Sequence, residues 1–326
     1  MRLYAIDVGY GWTKFCVGEC ADGTVSVRTG KFPTAFALLN DAVRLDEHVP
    51  HHVHRGLRYL CGEDAVRSSS GFSVRDIESM LQYAPVAVAE VFRRTNLTDP
   101  DVELAMGLPP ADYRTHRERL RGLASEVVLL GKGMVRKQRV EVYPQGAAAK
   151  VEVDLNGGLQ RGLLMDVGHN TTDIVAVVDG RVLPNDVMTI SGGGLARATG
   201  EFSDYVRFAH GLTFATAQEA YDVMCRGYCY SFGRRIEFNG ELDRIVRGYV
   251  EWLLAKVRER WEERLRLAEA VVVFGGGAKL VLDHFPEALR GMVRVLPDPE
   301  FANARAYMLL LAKKHGAKVV FDEGPK

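Results

Sequence analysis

The sequence predicts an α/β protein made of two related domains, each with a mixed central β-sheet. An apolar strand, an Asp-x-Gly turn and a second apolar strand occur in residues 5–14, AIDVGYGWTK, and again in residues 163–177, LLMDVGHNTTDIVAV. A third segment, VVVFGGGAKL at 271–280, has a buried strand that ends in three glycines and opens a helix. Two related halves with a hinge near 146–158 are the simplest account of this repeated plan.

The N-terminal half is predicted to consist mainly of strands. Residues 36–70 look irregular and polar, apart from a short strand and turn in LRYLCGEDAV at 57–66. The predicted strands are 3–9, 13–19, 23–34 and 101–110, with further strand-like stretches at 126–130, 134–144 and 151–155; the predicted helices are 80–94 and 112–124.

The C-terminal half is predicted to alternate strands with long helices. Residues 191–269 are mostly helical, with amphipathic helices at 216–226 and 241–267. A strand, three glycines and a helix start follow at 269–285, then a strand, a proline-rich turn and a final helix at 292–316. We therefore expect domain I at 1–149, with a small insertion at about 36–75, and domain II at 150–326, with a helical insertion at about 191–268. The final helix, about 302–315, is expected to pack back toward domain I.

Composition excludes several classes of protein. The chain has 326 residues, of which 47% are hydrophobic, enough for more than one sizeable core. Lys plus Arg and Asp plus Glu are both 42, so no bulk positive field attracts nucleic acid, and direct nucleic-acid binding is not expected. The charged stretches RTHRERLR at 114–121 and KVRERWEERLR at 256–266 are interpreted as solvated helix faces.

Cysteine and hydropathy patterns indicate a cytoplasmic protein. The five cysteines have no framework spacing, which is typical of a reducing compartment. Cys16 and Cys20 lie four positions apart in a predicted strand, more than about 10 Å, which argues against a shared zinc ion. The histidine-rich run HVPHHVH at 48–54 is interpreted as a loop. No apolar stretch reaches about 20 residues, and a strand from the first residues leaves no room for a signal peptide.

The two Asp-x-Gly turns have the chemistry of a phosphate site. Glycine lets a ligand approach the backbone, and successive N–H groups in a tight turn can bind an anion. Lys14 adds a positive charge, and Thr13, Asn170, Thr171 and Thr172 add hydroxyl and amide groups. An aspartate beside a phosphate requires a cation between them, and Mg²⁺ is the usual one, so Asp7 and Asp166 are predicted to hold it through water. The alternative is that each turn is merely a type I′ or II′ hairpin turn; two copies at matched positions favour phosphate binding.

Two further segments complete the predicted site. The glycines of VFGGGAKL suit a flat ring or a ribose against bare backbone, although GGG also serves as a simple strand-to-helix turn. Gln145, in VEVYPQGAAAK at 140–150, is a polar residue at a strand-to-helix junction that could orient a water molecule, or simply cap the helix. The chain has neither the G-x-G-x-x-G spacing of a dinucleotide fold nor a P-loop.

These segments, in this order, resemble the actin / sugar-kinase / heat-shock ATPase superfamily. IDVGYGWTK and MDVGHNTTD are similar to its two phosphate loops, YPQGAAAK and PDPEFANARAYMLL to its connecting segments, and VFGGGAKL to its adenosine segment. PEFANARAY at 299–307, together with the compact length, most resembles the actin-like proteins of the ParM, or plasmid-segregation, type.

The resemblance implies an actin-like ATPase fold whose two domains close on ATP, or GTP, and Mg²⁺ in the interdomain cleft. It implies that Asp7 and Asp166 hold the hydrated metal, that Asp166 and Gln145 are catalytic, and that Gln145 positions the attacking water. The implied nucleotide-binding residues are Gly9, Tyr10, Gly11, Trp12, Thr13, Lys14, Gly168, His169, Asn170, Thr171, Thr172, Gly275, Gly276, Gly277 and Lys279. Three points depart from the family pattern or are left open by it. Tyr10 and Trp12 are bulky where Ser or Thr is common, many ParM-like proteins carry Glu at the position of Gln145, and the ribose contacts in 190–270 are not assigned.

The expected function is a nucleotide-dependent, filament-forming ATPase whose hydrolysis drives filament turnover, acting in plasmid or DNA segregation through a DNA-binding adaptor. One alternative is a sugar or pantothenate-type kinase, which needs a general base; Asp101, Asp112 and Asp154 are available, but none lies in a D-x-G-type substrate loop. Another is a cytoskeletal scaffold that does not hydrolyse nucleotide. Neither end of the sequence resembles a membrane-binding amphipathic helix, so no membrane partner is expected.

Overall fold

The computed structural model describes residues 1–39, 50–97, 102–128 and 135–322. The strands are β1 (Arg2–Val8), β2 (Trp12–Ala21), β3 (Thr24–Pro33), β4 (Ala35–Leu38), β5 (His52–His54), β6 (Leu57–Cys61), β7 (Gly71–Ser73), β8 (Val102–Leu108), β9 (Glu126–Val128), β10 (Val135–Lys137), β11 (Arg139–Pro144), β12 (Gly162–Val167), β13 (Thr171–Val178), β14 (Arg181–Ser191), β15 (Tyr228–Ser231), β16 (Arg234–Glu237), β17 (Ala270–Phe274), β18 (Val293–Val295) and β19 (Lys318–Phe321). The helices are α1 (Glu63–Arg67), α2 (Ile77–Arg94), α3 (Pro110–Ser125), α4 (Lys150–Leu155), α5 (Ala196–His210), α6 (Ala217–Arg226), α7 (Asn239–Arg266), α8 (Ala278–Val281), α9 (Glu287–Arg290) and α10 (Ala302–Lys314).

The chain divides into two units, and the first is discontinuous in sequence. Unit 1 comprises Met1–Glu152 and Phe301–Lys326, and unit 2 comprises Val153–Glu300. Helix α10 therefore belongs to unit 1, where it packs on β1, β2 and β8.

The main sheets of the two units have the same plan. In unit 1 the strand order is β11-β8-β1-β2-β3-β19, and in unit 2, from the corresponding edge, it is β18-β17-β12-β13-β14. In both sheets the first three strands are parallel, and the next two pairings are antiparallel. Five strands thus correspond one for one, which confirms the predicted α/β fold with two related halves and mixed sheets.

Strand β1 forms the centre of unit 1 because both of its faces are apolar. Tyr4, Ile6 and Val8 face a core that includes α2, whereas Leu3 and Ala5 face a core that includes α10. Near-continuous hydrophobic sequence is typical of a strand covered on both faces. In unit 2 the sheet packs on α5 and α7 in the same manner, through a single large core.

Several predicted elements differ from the structure. The described residues within 36–70 are not irregular: β4 to β7 form a four-stranded sheet in the order β5-β6-β4-β7, and β5 occupies part of the histidine-rich run predicted as a loop. Each of these strands is too short for an alternation of apolar and polar residues to be recognised. Phe36, in β4, is fully buried. Residues 40–49, and Asp101 among the predicted kinase bases, lie outside the described residues.

The stretch at 151–155 was predicted as a strand and forms helix α4 instead. The alternation in KVEVDL suggested a strand, but the backbone N–H groups of Lys150, Val151 and Glu152 donate to the carbonyls of residues 147–149, continuing turns that begin at Gln145. Two other elements were not predicted: the hairpin β15–β16, inside the helical region, and β19, which pairs with the edge strand β3.

A buried ion-pair cluster in unit 1 gives a prediction for acid stability. Glu90 accepts hydrogen bonds from Arg93 and Arg94, and its carboxylate lies 2.8 Å from Nε2 of His52. Burial by itself raises the pKa of Glu90, but hydrogen bonds from Arg93 and His52 outweigh it and lower the pKa to about 2, from an ordinary value of 4.5. A carboxylate with a lowered pKa stabilises the fold above its unfolded pKa, and this contribution is lost as pH falls from about 4.5 toward 2.

We expect Glu90→Gln to lower the free energy of unfolding at pH 7 by about 3 kcal/mol, because it leaves the partly buried guanidinium groups of Arg93 and Arg94 without their shared carboxylate. Chemical denaturation at pH 7 and at steps between pH 5 and 3 measures the effect. The variant should lose less stability than wild type over the acidic range. Parallel loss in both proteins would contradict the role assigned to Glu90.

Candidate functional site

The two Asp-x-Gly turns adopt the same geometry in their separate units. In the first, Asp7 pairs with Lys14 across the hairpin, and the Gly9 N–H donates to the Trp12 carbonyl at 3.1 Å. In the second, Asp166 pairs with Asp173, and the Gly168 N–H donates to the Thr171 carbonyl at 3.0 Å. The sequence repeat therefore corresponds to a repeat in register and hydrogen bonding.

Glycine is required in these turns for lack of space and not for an unusual backbone angle. A Cβ at Gly9 would lie 2.9 Å from the Trp12 carbonyl oxygen, and a Cβ at Gly168 would lie 2.9 Å from that of Thr171. None of the intervening residues, Tyr10–Gly11 and 169–170, has the positive φ that type I′ and II′ turns need. The alternative that these are ordinary primed hairpin turns is therefore wrong.

Asp7 is a buried carboxylate with two polar neighbours. Its side chain is 4% exposed, its Oδ1 accepts a hydrogen bond from Nε2 of Gln145 at 2.8 Å, and its Oδ2 lies 3.9 Å from Nζ of Lys14. Burial raises the pKa of Asp7, and the charge of Lys14 and the hydrogen bond from Gln145 oppose that rise only in part. The structure thus brings together three predicted site residues, and the net effect of the surroundings favours added positive charge at Asp7.

Gln145 is held at the end of β11 by its backbone. Its N–H donates to the carbonyl of Leu108 at 2.8 Å, at the end of the neighbouring strand β8. The next residue, Gly146, has φ of 70° and donates its N–H to Oδ1 of the buried Asn303 at 3.0 Å. The two sequence segments that connect the units, around Gln145 and around PEFANARAY, therefore meet within unit 1.

Asp166 lies directly against the triple glycine in unit 2. Gly275 has φ of 88°, and a Cβ there would lie 2.3 Å from Oδ1 of Asp166. The Gly277 N–H donates to the Val167 carbonyl at 2.9 Å, which fixes the loop on the strand that carries Asp166. Gly276 has open space where a side chain would be, and its carbonyl accepts a hydrogen bond from Tyr221 at 2.8 Å. Gly276 therefore has bare backbone with open space beside it, and the placement of adenosine against this segment stays a prediction.

Sequence reasoning missed a second glycine loop in unit 2. The backbone N–H groups of Gly194, Leu195 and Ala196 donate to the carbonyls of residues 170, 168 and 169, at 3.2, 3.0 and 2.8 Å. This loop is the SGGGL segment between β14 and α5, and it packs onto the second Asp-x-Gly turn. The signal was present, because SGGG at a strand-to-helix junction has the same form as FGGG.

Asp173 was also missed. It is buried beside its cross-strand partner Asp166, and its Oδ1 accepts a hydrogen bond from Thr189. The two turns therefore differ in charge. The position that Lys14 occupies in the first turn is occupied in the second by Asp173, which adds a second carboxylate.

Among the residues predicted to bind the nucleotide, Thr13 and Thr172 use their hydroxyl groups in contacts within the protein. The hydroxyl of Thr13 is buried against that of Thr34 at 2.9 Å, and the hydroxyl of Thr172 is buried and donates to the Gly193 carbonyl at 2.7 Å, so neither hydroxyl faces a ligand in this conformation. Lys279 is exposed on α8. Thr171 is half-buried at the start of β13.

The bulk of Tyr10 and Trp12 has a structural explanation. Tyr10 packs against the core of unit 1. Nζ of Lys31, on the neighbouring strand β3, lies over the Trp12 ring, 4.9 Å from its centroid. Both aromatic side chains therefore pack on protein, and the turn can keep its backbone available.

The carboxylates fit a hydrated magnesium ion. Carboxylate oxygens are hard ligands, and Mg²⁺ keeps several waters while binding through one or two carboxylates. Within the described residues no group of three or more His, Cys, Asp or Glu side chains is arranged to hold a metal ion. None of the described helices is both long and apolar enough to cross a membrane.

Comparison with known proteins places each half of the chain in a family. A model of the N-terminal domain of actin-like proteins matches residues 5–147, and a model of the C-terminal domain of archaeal MreB-like actin homologues matches residues 164–287. No curated protein matches the sequence.

Solved structures share the fold over nearly the whole chain. The archaeal actin homologue Ta0583 is 18% identical, with a TM-score of 0.78 over 96% of this chain and 100% of its own, and it has also been solved in complex with ADP. ParM from a 15-stranded Clostridium botulinum filament is 21% identical, with a TM-score of 0.72 over 96% and 99%. Bacillus thuringiensis ParM with AMPPNP is 13% identical, with a TM-score of 0.66 over 97% and 99%. Because each half matches an actin-type domain in sequence and the whole chain matches actin homologues in fold, the chain belongs to the actin-like proteins.

Proposed function

We propose that the chain binds ATP with Mg²⁺, hydrolyses it, and assembles into filaments whose turnover depends on hydrolysis. The observation that carries this proposal is the pair of Asp-x-Gly turns, identical in register and hydrogen bonding, each with a buried aspartate at the end of a central strand. Burying a carboxylate costs free energy unless a cation or donors compensate, so two such positions support a bound metal and phosphates.

Each residue has a role that follows from its place. Lys14 and the backbone of 9–13 and 168–172 bind phosphate oxygens, Gly275–Gly277 lie against the adenosine, and Asp7 and Asp166 hold the hydrated metal. Bound Mg²⁺ supplies charge stabilisation for phosphoryl transfer. Gln145, already fixed by its backbone and bonded to Asp7, orients the attacking water. Its amide donates to Asp7, which leaves the amide oxygen to accept a hydrogen bond from that water.

Solved structures of relatives support the proposals of nucleotide binding and filament assembly. One archaeal actin homologue has been solved with ADP and one ParM with AMPPNP, and another ParM comes from a filament. We extend the proposal to plasmid or DNA segregation through a DNA-binding adaptor, because the chain carries no net charge and is not expected to bind DNA by itself. A mobility-shift assay with plasmid DNA should show no shift without an added adaptor.

Light scattering and phosphate release, recorded together after Mg-ATP is added to the purified chain, test the central proposal. We expect scattering to rise with ATP and to decay as phosphate is released. Turnover that needs an added sugar or pantothenate, without scattering, would instead identify a kinase. Stable scattering without phosphate release would identify a scaffold.

Gln145→Ala separates catalysis from binding. Loss of an oriented water lowers the rate of hydrolysis by about 100-fold, within the range for general acid–base and positioning effects, while the affinity for ATP changes little. Single-turnover phosphate release and equilibrium binding of a fluorescent ATP analogue measure the two quantities. Gln160→Ala, an exposed glutamine of unit 2, is the control and should match wild type. Equal loss of affinity and rate in Gln145→Ala would contradict a role confined to the water.

A further inference from the structure

An exposed aromatic residue stands at the tip of a hairpin in unit 2. Phe232 and Gly233 connect the paired residues Ser231 and Arg234, with φ of 47° and 77°, so the turn is of type I′. Such turns favour Asn-Gly, and a bulky residue at the first position is strained. Phe232 is nevertheless present there and is 103% exposed. Strain and exposure combined in one aromatic residue are not explained by the fold and indicate a contact with another molecule.

Contacts with the rest of unit 2 hold the base of this hairpin in place. The Phe238 N–H donates to the Gly227 carbonyl at 2.9 Å, and Cys229 and Ile236 pack on the core of unit 2. The guanidinium of Arg235 lies 4.0 Å from the ring centroid of Tyr228. The tip therefore keeps a defined position, which reduces the ordering cost of binding.

A pocket of matching size lies elsewhere in the same unit. It has a volume of about 120 Å³ and lies between the sheet and the end of α7; we call it the α7 pocket. Its lining includes Gly162, Ala176, Val177, Val178, Arg264 and Leu267. An apolar protein cavity of about 150 Å³ is known to bind benzene, so a pocket of this size suits one phenyl ring.

The rim charges of the α7 pocket are already paired. Arg264 bonds to Asp186 at 2.8 Å, Glu263 bonds to Arg266 at 2.7 Å, and the half-exposed Arg161, which also lines the pocket, lies 4.0 Å from Asp179. Leu267, at the mouth, is 44% exposed. An uncharged aromatic ring can therefore enter without leaving a buried charge unpaired.

Tip and pocket lie at opposite ends of one helix. The hairpin leads directly into the first residue of α7, and the pocket is formed by its last turn and the residue after it. The helix is broken by a kink at Trp261, but the segment 239–260 before the kink is about 33 Å long, and among the described residues neither hairpin strand runs alongside α7. Phe232 therefore cannot reach the pocket of its own chain, but it can reach that of a second copy.

Building on the self-association proposed above, we propose that Phe232 inserts into the α7 pocket of the next copy, so that copies join head to tail. Two different surfaces of one chain then meet, and a contact of this heterologous kind extends into an open filament unless a rotation closes it into a ring. Burial of one phenyl group accounts for a change of about 10- to 100-fold in affinity, so loss of the contact should raise the critical concentration by that factor.

Three single variants test the contact in Mg-ATP by light scattering and sedimentation. Phe232→Asn suits the turn better than the native residue, so the fold is kept, and Leu267→Glu places a charge at the pocket mouth. Each should raise the critical concentration about 10- to 100-fold. Phe208→Ser removes another exposed phenylalanine of unit 2, 82% exposed, and should behave as wild type.

A mixture of Phe232→Asn and Leu267→Glu gives the sharper result. Phe232→Asn keeps an intact pocket and Leu267→Glu keeps an intact tip. At a protein concentration below the raised critical concentration of either variant, sedimentation velocity should therefore show dimers in the mixture but neither dimers nor filaments in each variant alone. Assembly of Phe232→Asn at the wild-type critical concentration would overturn this contact and leave the proposed function in place. Failure of the wild-type chain to assemble would overturn both.

Discussion

Replacing Asp7 by asparagine should lower the rate of phosphate release at least about 100-fold while making the nucleotide-free protein more stable. Loss of a carboxylate that is proposed to hold the metal should remove several kcal/mol of charge stabilisation, and each 1.36 kcal/mol is tenfold in rate. The gain in stability has a separate cause. Burial raises the pKa of Asp7, so its charged form is favoured less in the folded state than in the unfolded state.

The sign of the pH dependence follows from that raised pKa. The folded state holds the proton of Asp7 more tightly than the unfolded state, so wild-type stability declines as pH rises from the ordinary value of 3.8 through the raised pKa. The asparagine side chain of the variant has no proton to lose. Its advantage over wild type should therefore grow as pH rises from 3.8 through the raised pKa of Asp7 and vanish in acid.

Thermal melts without nucleotide, at pH 4 and pH 7, and phosphate release with Mg-ATP measure both effects. Asp166→Asn should show the same loss of turnover, because the second turn repeats the geometry of the first. Asp22→Asn, an exposed aspartate at the other end of strand β2, is the control for both assays. Normal turnover in either turn variant would refute the metal assignment for that aspartate.

A methyl group at Gly275 should both destabilise the protein and abolish nucleotide binding. Alanine is strained at φ of 88°, and its Cβ would lie 2.3 Å from Oδ1 of Asp166 and 2.6 Å from the Val167 carbonyl oxygen. Backbone strain of about 1–2 kcal/mol and overpacking of about 1–3 kcal/mol lower the free energy of unfolding by about 2–5 kcal/mol in total. Any relief of the clash displaces Asp166, so ATP should no longer raise the melting temperature.

The neighbouring glycine supplies the matched control. A Cβ at Gly276 meets nothing within 4 Å, so Gly276→Ala should melt like wild type without nucleotide. It should nevertheless weaken ATP binding, because the added methyl group occupies the face on which the adenosine is proposed to lie. If Gly276→Ala bound ATP with wild-type affinity, the adenosine would have to lie elsewhere. The prediction for Gly275 would not be affected.

Sequence alone predicted the parts of the fold that depend on local pattern. The long helices have hydrophobic periodicity over many residues, whereas the central strands of the two Asp-x-Gly hairpins and the strand before the triple glycine are continuous apolar runs that end at glycine. The stretch KVEVDL has a strand pattern but forms a helix, because the preceding turns already commit its N–H groups to carbonyls one turn earlier. The sheet of β4 to β7 escaped notice because its strands are three to five residues long.

Candidate site residues could be named from the sequence, but their contacts could not. Asp7, Asp166 and the glycines could be identified from a repeated motif, whereas the bond from Gln145 to Asp7 joins residues 138 positions apart and leaves no local signal. Asp173 was overlooked because its role depends on cross-strand register with Asp166, which hydropathy does not encode. The explanation for glycine at positions 9 and 168 also required coordinates, since the sequence suggested close approach of a ligand, with a primed turn as the alternative, and the structure shows crowding by a carbonyl.

The discontinuity of unit 1 has a consequence for the order in which the chain folds on the ribosome. Val153–Glu300 is continuous, so unit 2 can complete its core as soon as it emerges, whereas the core under β1 lacks Tyr307, Met308 and Leu311 until α10 is translated. At about 5–20 residues per second, synthesis of the intervening segment takes about 10–30 s. During that interval the half that is made first exposes the apolar face of its central strands, and it is the half on which a chaperone would act.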